Sequence, residues 1–305
     1  MTKHFIEFTG YSKEEVIEII DLARRFKKEG YSTDSLKGKI IALIFEKPST
    51  RTKVSFISAI YKLGGEAVPL SSTELQLARG EPIKDTARVL SRYVDAIVAR
   101  VISHATIVEL ANHSSVPVIN ALSDKHHPCQ ALADLMTIFE YSGSKKRVKV
   151  AYIGDGNNVC TSLVQICALV GVDLSVASPK GYEVDEEIKR QAQDWAKISG
   201  AKVVFTNDPE EAARDADFLY TDVFVSMGHE QEREARMKVF IPKYQVSEKL
   251  MRLAKRDAKF MHCMPMKRGE EVEETVADGP SSIIIDQAEN RMHTEAALLY
   301  KLLGS

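Results

Sequence analysis

Short β-rich runs alternate with helical segments along most of the chain, and this alternation sets the class of fold that the chain can adopt. It is typical of βαβ units, in which successive strands form a parallel sheet and the helices pack on its faces. In such folds the functional residues gather at the carboxyl ends of the strands. We therefore predict an α/β fold and search those strand ends for function. The strands expected in the first half are Ile40 to Phe45, Ala67 to Leu70, Ala96 to Arg100 and Pro117 to Ala121.

The alternation restarts after the polar, basic stretch Gly143 to Arg147, which we interpret as a domain boundary. A chain of 305 residues also exceeds the size at which a single core stops growing. We predict two similar domains at residues 1–143 and 144–288, each a parallel sheet flanked by helices, with a C-terminal helix at about 289–305 returning to the first domain. The strands expected in the second half are Val148 to Ile153, Leu174 to Ala177, Val203 to Phe205, Phe218 to Asp222, Lys259 to His262 and Ile283 to Ile285.

Charge and composition disfavour several classes of partner. The formal net charge is −2 at pH 7, so no excess of positive charge points to nucleic acid or to an anionic membrane. No apolar run approaches the roughly 20 residues of a membrane span, and the segment Met1 to Phe5 does not resemble a signal peptide. The four cysteines are scattered without a C-x-x-C pair, which is typical of reduced thiols. We expect a cytoplasmic protein without disulfides.

The segment Ser49 to Thr52, which we call the cradle, joins the first strand to a helix and suits a phosphate group. A helix N-terminus presents unpaired backbone N–H groups and the positive end of the helix dipole. Ser49, Thr50 and Thr52 add hydroxyl donors, and Arg51 adds a guanidinium that can hold two oxygens of one anion. The alternative is an ordinary helix N-cap, where serine and threonine are preferred. The arginine between the two threonines favours the anion site.

Further candidates lie at two more strand ends of the first half. Arg100 ends an apolar strand, so it is either an anion-binding group or a surface arginine. Pro128 suits the first position of a helix, which places His127 and Gln130 beside a helix N-terminus, where an imidazole and an amide can bind a polarised oxygen. A metal is not expected, because His126 and His127 point in different directions and no third ligand lies at a familiar spacing.

The first turn of the second half begins like a dinucleotide-binding fingerprint, with Gly154 and Gly156 after a strand. The third glycine is missing, because Val159 stands at its position. The next strand also ends without an acidic residue to bind a ribose hydroxyl. Nucleotide binding is therefore disfavoured. Either Asn157 or Asn158 instead offers an amide to a polar substrate group such as a carboxylate.

Two later strand ends carry groups that suit a small polar substrate. Asp222 and Ser226 share a loop with Gly228, whose backbone freedom allows a tight turn, and the carboxylate suits an amine. Cys263 is either a nucleophile paired with a histidine or a polar wall beside the reacting centre. Its adjacency to His262 argues poorly for a catalytic pair, because neighbouring strand residues point to opposite faces.

Four motifs at these strand ends carry a family resemblance: Ser49-Thr50-Arg51-Thr52, His127-Pro128-Cys129-Gln130, Asp222 with Ser226-Met227-Gly228, and His262-Cys263-Met264-Pro265. Together they closely resemble the ornithine carbamoyltransferase family, over nearly the whole chain. The first two motifs are shared with other carbamoyltransferases, including aspartate carbamoyltransferase. The last two are associated with ornithine as acceptor, so aspartate is disfavoured.

The resemblance implies two small-molecule substrates, carbamoyl phosphate and L-ornithine. It also implies a homotrimer or an assembly of trimers, in which the loop around Gln76 is lent by a neighbouring subunit. Neither a metal nor another cofactor is implied. The residues implied to bind carbamoyl phosphate are Ser49, Thr50, Arg51, Thr52, Gln76, Arg100, His127, Gln130, Cys263, the backbone of Met264, and Arg291 in the first turn of the C-terminal helix. Those implied to bind the amino-acid end of ornithine are Asn158, Asp222, Ser226 and Met227.

The implied reaction is a direct attack of the neutral side-chain amine of ornithine on the carbamoyl carbon, through a tetrahedral intermediate, with loss of phosphate to give citrulline. Thr52, Arg100 and His127 would donate to the oxyanion that develops, and removal of one such donor typically costs about 10²–10³ in rate. Cys263 would accept a proton or orient the amine. The product belongs to arginine metabolism, with the direction, synthesis or breakdown, left open.

Two positions depart from the family pattern. Lys53 stands where arginine is expected after the cradle, which removes a bidentate contact. Met264 replaces an expected leucine, a change that conserves volume and leaves a backbone contact intact. The competing functions are a carbamoyltransferase for putrescine or N-acetylornithine, a nicotinamide-dependent oxidoreductase, and a binding protein without activity on the same scaffold.

Overall fold

The computed structural model describes residues 2–31, 34–71, 74–75, 80–143, 145, 147–226 and 230–304. The chain divides into two compact units: unit 1 comprises Met1–Met136 and Glu289–Ser305, and unit 2 comprises Thr137–Ala288. Each unit holds a parallel sheet accompanied by helices, so the predicted fold class is confirmed. The division falls within two helices, Pro128–Ser142 and Ile284–Leu303, and the second of these carries the chain back into unit 1.

In the first part of the chain, strands and helices alternate as the sequence predicts. The elements are α1 (Lys13–Glu29), β1 (Ile40–Phe45), α2 (Thr50–Lys62), β2 (Glu66–Ser71), α3 (Ile83–Leu90), β3 (Ala96–Arg100), α4 (His104–His113), β4 (Val118–Leu122) and α5 (Pro128–Ser142). Helix α1 begins after Ser12, whose hydroxyl accepts from the backbone of Glu15 in a capping box, and it ends before Gly30.

The sheet of unit 1 has the strand order β2-β1-β3-β4, with all pairs parallel. Residues 41–45 of β1 are all buried, which fits a continuous apolar run in a sheet covered on both faces. The register pairs Phe45 with Arg100, so β1 and β3 end side by side. The start of α2 and the side chain of Arg100 therefore meet at one edge of the sheet.

The second part of the chain repeats the alternation of strands and helices. The elements are β5 (Lys149–Ile153), α6 (Asn158–Val170), β6 (Asp173–Ala177), α7 (Glu186–Ser199), β7 (Val203–Thr206), α8 (Pro209–Ala213), β8 (Phe218–Thr221), α9 (Arg233–Phe240), α10 (Glu248–Leu253), β9 (Lys259–His262), α11 (Glu274–Ala277) and α12 (Ile284–Leu303). A short 3-10 helix, Glu230–Glu232, precedes α9. The sheet of unit 2 has the order β7-β6-β5-β8-β9, again with all pairs parallel.

The core of unit 2 packs β5 and β8 against the helices that follow them. Ile153, Leu219, Phe224 and Phe240 are buried in one apolar cluster, and the rings of Phe224 and Phe240 are stacked. Through Phe224, this cluster supports the loop that follows β8. Among the described residues, no helix is both long and apolar enough to cross a membrane.

The predicted strand Ile283 to Ile285 is wrong. Strand-like pairing stops at Ile283, whose N–H donates to the carbonyl of Phe260 at 3.0 Å, and α12 begins at the next residue. The carbonyl of Ile283 accepts from the N–H of Gln287 at 3.0 Å, the first bond of the helix. A short run of isoleucines cannot by itself distinguish a strand from the first turn of a buried helix.

Candidate active site

The cradle begins α2 without the usual capping bond. Ser49 occupies the N-cap position with extended backbone, but its side chain makes no capping hydrogen bond. The serines that begin α1 and α4, Ser12 and Ser103, both accept from backbone N–H groups in their own first turns. The alternative interpretation of the cradle, as an ordinary capping sequence, is therefore not what the structure shows.

Two arginines meet at the buried hydroxyl of Thr52. Arg100 donates from Nη1 to Thr52 Oγ1 at 3.4 Å, and Arg291 donates from Nη2 to the same oxygen at 3.3 Å. Thr52 is only 1% exposed, whereas the neighbouring Lys53 is exposed and its ammonium lies 5.9 Å from the centroid of the Phe45 ring. The cradle, the end of β3 and α12 therefore contribute to one cationic cluster in unit 1. A register shift between β3 and β4 falls at Arg100, a device that re-aims side chains next to functional sites.

Gln130 extends this cluster. Its Oε1 accepts from Arg291 Nη1 at 2.8 Å, and its Nε2 donates to Asp134 Oδ1 at 2.8 Å. The two bonds fix the side-chain amide of Gln130, with its oxygen toward the guanidinium. Arg291 lies about two turns after the start of α12. The expectation that it occupies the first turn of the helix is thus wrong, because the helix begins earlier than the sequence suggested.

His127 precedes α5, and its carbonyl accepts from the backbone N–H of Gln130 and Ala131. Burial lowers the pKa of His127 well below its ordinary value, and the nearby cations of Arg291, Arg100 and Arg51 lower it further. The imidazole is therefore neutral at pH 7 and can donate a hydrogen bond without carrying charge.

The adjacent His126 has different neighbours. It lies 3.7 Å from a carboxylate oxygen of Glu7, and its ring packs against that of His104 with 4.8 Å between centroids. Burial lowers the pKa of His126 to about 4, while the charge of Glu7 acts in the opposite direction. His126 therefore faces Glu7 and His104, whereas the charges of three arginines act on His127.

In unit 2, one amide organises the predicted acceptor-binding loop. Asn157 donates from Nδ2 to Asp222 Oδ2 at 2.8 Å and to Ser226 Oγ at 3.3 Å. Its Oδ1 accepts from the N–H groups of Val159 and Cys160, which caps α6. Asn158, the residue predicted for this site, is the first residue of α6 and is half-buried.

Cys263 contacts this loop from the end of β9. Its thiol donates to Asp222 Oδ1 at 3.1 Å, so both oxygens of the 6% exposed carboxylate have donors. His262 has other partners: Nδ1 accepts from the Met264 N–H at 2.8 Å, and Nε2 lies 3.2 Å from Glu271 Oε1. These bonds engage both ring nitrogens of His262 with Met264 and Glu271 rather than with the Cys263 thiol.

One group of side chains has the composition of a metal site. Asp222, His262 and Cys263 place an oxygen, a nitrogen and a sulfur within 4.8 Å of one another. The hydrogen bonds described above already use both ring nitrogens of His262 and join the thiol to the carboxylate. We interpret the three residues as a hydrogen-bonded cluster that shapes the loop, and we assign no metal to it.

One further side chain holds the loop, and it had no signal in the sequence. Arg236 on α9, 4% exposed, donates from Nε to the carbonyl of Phe224 at 2.7 Å and pairs with Asp155. It thus anchors the backbone midway between Asp222 and Ser226. Gly156 packs against a different segment, since an added Cβ there would lie 2.3 Å from the backbone nitrogen of Val184. That glycine therefore allows two backbone segments to pack closely.

The structure thus brings most of the predicted residues into two clusters, one in each unit. Gln76 and Met227 lie outside the described residues. Met264 adopts a positive φ of 58°, so its backbone turns sharply beside Cys263. The sequence reasoning offered Asn157 and Asn158 as alternatives and placed only Asn158 in the site, and it did not consider Glu295, Asp134 or Arg236. An acid four residues after Arg291 was the available signal for Glu295.

Two family models match the chain. Residues 3–140 match "Aspartate/ornithine carbamoyltransferase, carbamoyl-P binding domain", and residues 146–302 match "Aspartate/ornithine carbamoyltransferase, Asp/Orn binding domain". Among relatives, an ornithine carbamoyltransferase of Listeria innocua is 53% identical over 99% of this chain and 96% of its own length. One from Archaeoglobus fulgidus is 52% identical over 99% of this chain and 98% of its own.

Solved structures agree with the family models. The ornithine carbamoyltransferase of Pyrococcus furiosus is 50% identical, with a TM-score of 0.94 over 99% of this chain and 97% of its own. The anabolic enzyme of that name from Campylobacter jejuni is 44% identical, with a TM-score of 0.95 over 99% of both chains.

Proposed function

Because the chain belongs to the aspartate/ornithine carbamoyltransferase family, we propose that it transfers the carbamoyl group of carbamoyl phosphate to the side-chain amine of L-ornithine, giving L-citrulline and phosphate. The observation that carries this proposal is the cluster in unit 1, where the charges of three arginines act on a neutral imidazole and two of those arginines reach one buried hydroxyl. Such a cluster suits a phosphate dianion attached to a carbonyl group.

The first proposed domain, residues 1–143 with the C-terminal helix, is the carbamoyl-phosphate-binding domain, and residues 144–288 form the ornithine-binding domain. In the first, the cradle holds the phosphate by its hydroxyls, its backbone N–H groups and the fork of Arg51. Gln130 and Arg291 orient the carbamoyl group. This division is supported by the family descriptions matched to the two halves.

Catalysis is proposed to depend on donors preorganised around the carbonyl oxygen. Thr52, Arg100 and His127 donate to the negative charge as the amine attacks, and the phosphate departs from the tetrahedral intermediate and takes up the proton that the amine loses. A neutral His127 is suited to this, because it gives a hydrogen bond without competing with the arginines for the phosphate. No intermediate is covalently bound to the protein in this mechanism.

For the acceptor, Asp222 and Ser226 are proposed to bind the α-ammonium group of ornithine, with Asn158 and Met227 at its carboxylate. A carboxylate that is buried and already holds two donors is a well-defined partner for a cation. Cys263 and the backbone of Met264 are proposed to contact the reacting groups. In this role the Cys263 thiol, fixed on Asp222, orients the attacking amine.

We also propose a homotrimer that works in cytoplasmic arginine biosynthesis, with Gln76 serving the site of a neighbouring subunit. None of the four cysteines, all of which lie in the described residues, forms a disulfide, as is usual in a reducing compartment. Exposed apolar residues on α2 support assembly, since Val54 is 57% and Tyr61 is 80% exposed. The biosynthetic direction is supported by the anabolic enzyme of Campylobacter jejuni.

The function is tested by citrulline formation from carbamoyl phosphate and L-ornithine, in the wild-type protein and in Arg51→Ala. Loss of the phosphate fork is expected to lower kcat/KM for carbamoyl phosphate at least about 100-fold. Arg24→Ala, which removes a surface arginine of α1 that lies 4.0 Å from Asp21, is the matched control. A wild-type protein that forms no citrulline, or an Arg51→Ala variant that matches the control, would overturn the proposal.

A further inference from the structure

Arg291 has a partner on its own helix that the reaction scheme does not include. Glu295 lies one turn further along α12, and its Oε1 accepts from Arg291 Nε at 3.0 Å and from Nη2 at 2.8 Å. The carboxylate side chain is fully buried, and that of Arg291 is 5% exposed. A glutamate four residues after an arginine faces the same side of a helix, but such pairs usually lie at the surface.

The pair fixes how the guanidinium is presented. Glu295 holds the edge formed by Nε and Nη2, so the planar group cannot rotate without breaking two bonds. In that orientation Nη1 donates to Gln130 Oε1 at 2.8 Å, and Nη2 reaches Thr52 Oγ1 at 3.3 Å. Glu295 therefore stands at one end of a continuous hydrogen-bonded chain that runs through Arg291 and Gln130 to Asp134.

The pKa shifts of Arg291 and Glu295 also indicate that the two side chains interact. Burial alone would lower the pKa of the Arg291 guanidinium, yet the charge of Glu295 holds it above its ordinary value. Burial raises the pKa of Glu295 to about 7, although Arg291 and a hydrogen bond from the Ser55 side chain on α2 oppose that shift. The charge of Glu295 also acts on two other titratable groups, Cys129 on α5 and Tyr31 after α1. Burial is the larger cause of the raised pKa of each, and Glu295 raises both further.

We propose that Glu295 is a positioning residue that anchors Arg291 toward Thr52 and Gln130 and thereby sets the affinity for carbamoyl phosphate. The proposal rests on the function proposed above. Glu295 itself does not touch the substrate. A pair that only stabilised the fold would affect melting and leave the kinetic constants of folded protein unchanged.

Three variants separate these possibilities. Glu295→Ala removes the anchor, and Glu295→Gln keeps its shape and one acceptor oxygen but not its charge. Thr294→Val is the control: Thr294 is equally buried on α12, and its hydroxyl donates to the carbonyls of Asn290 and Arg291. We expect KM for carbamoyl phosphate to rise roughly ten-fold in Glu295→Ala and less in Glu295→Gln, with KM for ornithine within about two-fold of wild type.

The pH profile supplies a readout that a purely structural role would not move. As pH rises from about 6 to 8, Glu295 ionises and its hold on Arg291 strengthens. The ratio of kcat/KM for carbamoyl phosphate between wild type and Glu295→Gln is therefore expected to rise through about pH 7, because groups common to both proteins cancel.

Two results would overturn the proposal. The first is a wild-type to Glu295→Gln ratio of kcat/KM that does not change with pH, together with kinetic constants of Glu295→Ala that match those of Thr294→Val. This result would reject the positioning role of Glu295 and leave the proposed function standing. Absence of citrulline formation by the wild-type protein would reject the proposed function and this proposal with it. Melting temperatures of all three variants are measured as well. They show which variants are folded, and the kinetic constants are compared only among those.

Discussion

At the scale of single residues, Asn157 shows how one side chain can serve both the fold and the site. Its oxygen caps α6, and its nitrogen holds Asp222 and Ser226. The sequence identified the Asn157-Asn158 pair but could not divide their roles. That division depends on backbone dihedrals, since Asn157 is extended with ψ −171° and remains outside the helix that begins at Asn158.

Substitution of Asn157 by aspartate separates its two tasks. In the variant Asn157→Asp the new carboxylate still caps α6, because aspartate caps a helix as well as asparagine does. It cannot donate to Asp222, however, and its negative charge repels that of Asp222. We expect KM for ornithine to rise about ten-fold or more, with KM for carbamoyl phosphate nearly unchanged.

The control for this change is Asn207→Asp, which alters an amide of unit 2 that donates to Ser178 and Glu183. Steady-state kinetics with each substrate varied in turn is the measurement. If KM for ornithine is the same in Asn157→Asp, in the control and in the wild type, then the bond from Asn157 to Asp222 does not shape the acceptor site.

At the scale of elements, periodicity predicted most of the architecture. Strands β1, β3 and β9 begin and end where the sequence places them, because continuous apolar runs bounded by polar residues leave little choice. The short charged helix α9 was not predicted, because its stability depends on tertiary bonds such as those of Arg236. The start of α12 was misplaced for a related reason, as pairing with β9 continues to Ile283.

Helix α2 bears on assembly. Its residues Val54, Ile57 and Tyr61 recur at helical spacing, and the first and last are exposed within the chain. In a ring of three identical subunits such a face is covered by a different surface of the neighbour. We expect sedimentation equilibrium to give three times the mass of one chain, and Tyr61→Glu to shift the population toward monomers by placing a charge in the contact.

Ile198→Glu supplies the control for that experiment, since Ile198 is an 88% exposed apolar residue on α7 in the other unit. A wild-type protein that sediments as a monomer at micromolar concentration would contradict the proposed trimer. A trimer unaffected by Tyr61→Glu would remove α2 from the interface.

At the scale of the whole molecule, the net charge of −2 conceals two local sites of opposite character. In unit 1 the charges of Arg51, Arg100 and Arg291 all act on His127, and such a concentration of positive charge suits an anionic donor. Unit 2 presents the buried carboxylate of Asp222, which suits a cationic acceptor. Several of these residues could be brought together from the sequence alone, because Thr52, Arg100 and Asp222 lie at or soon after strand ends, whereas Arg291 lies within α12. The bonds within the two sites could not be predicted, because burial and side-chain orientation arise only when distant segments pack together.

The most direct test of the proposed function compares acceptors. Initial rates of carbamoyl transfer from carbamoyl phosphate would be measured with L-ornithine, putrescine and N-acetylornithine at equal concentrations. Putrescine lacks the carboxylate, and N-acetylornithine lacks the α-ammonium group that Asp222 is proposed to bind. We predict a kcat/KM for ornithine at least about 100-fold above that for either analogue. A faster reaction with putrescine or N-acetylornithine would contradict the assignment of ornithine as acceptor.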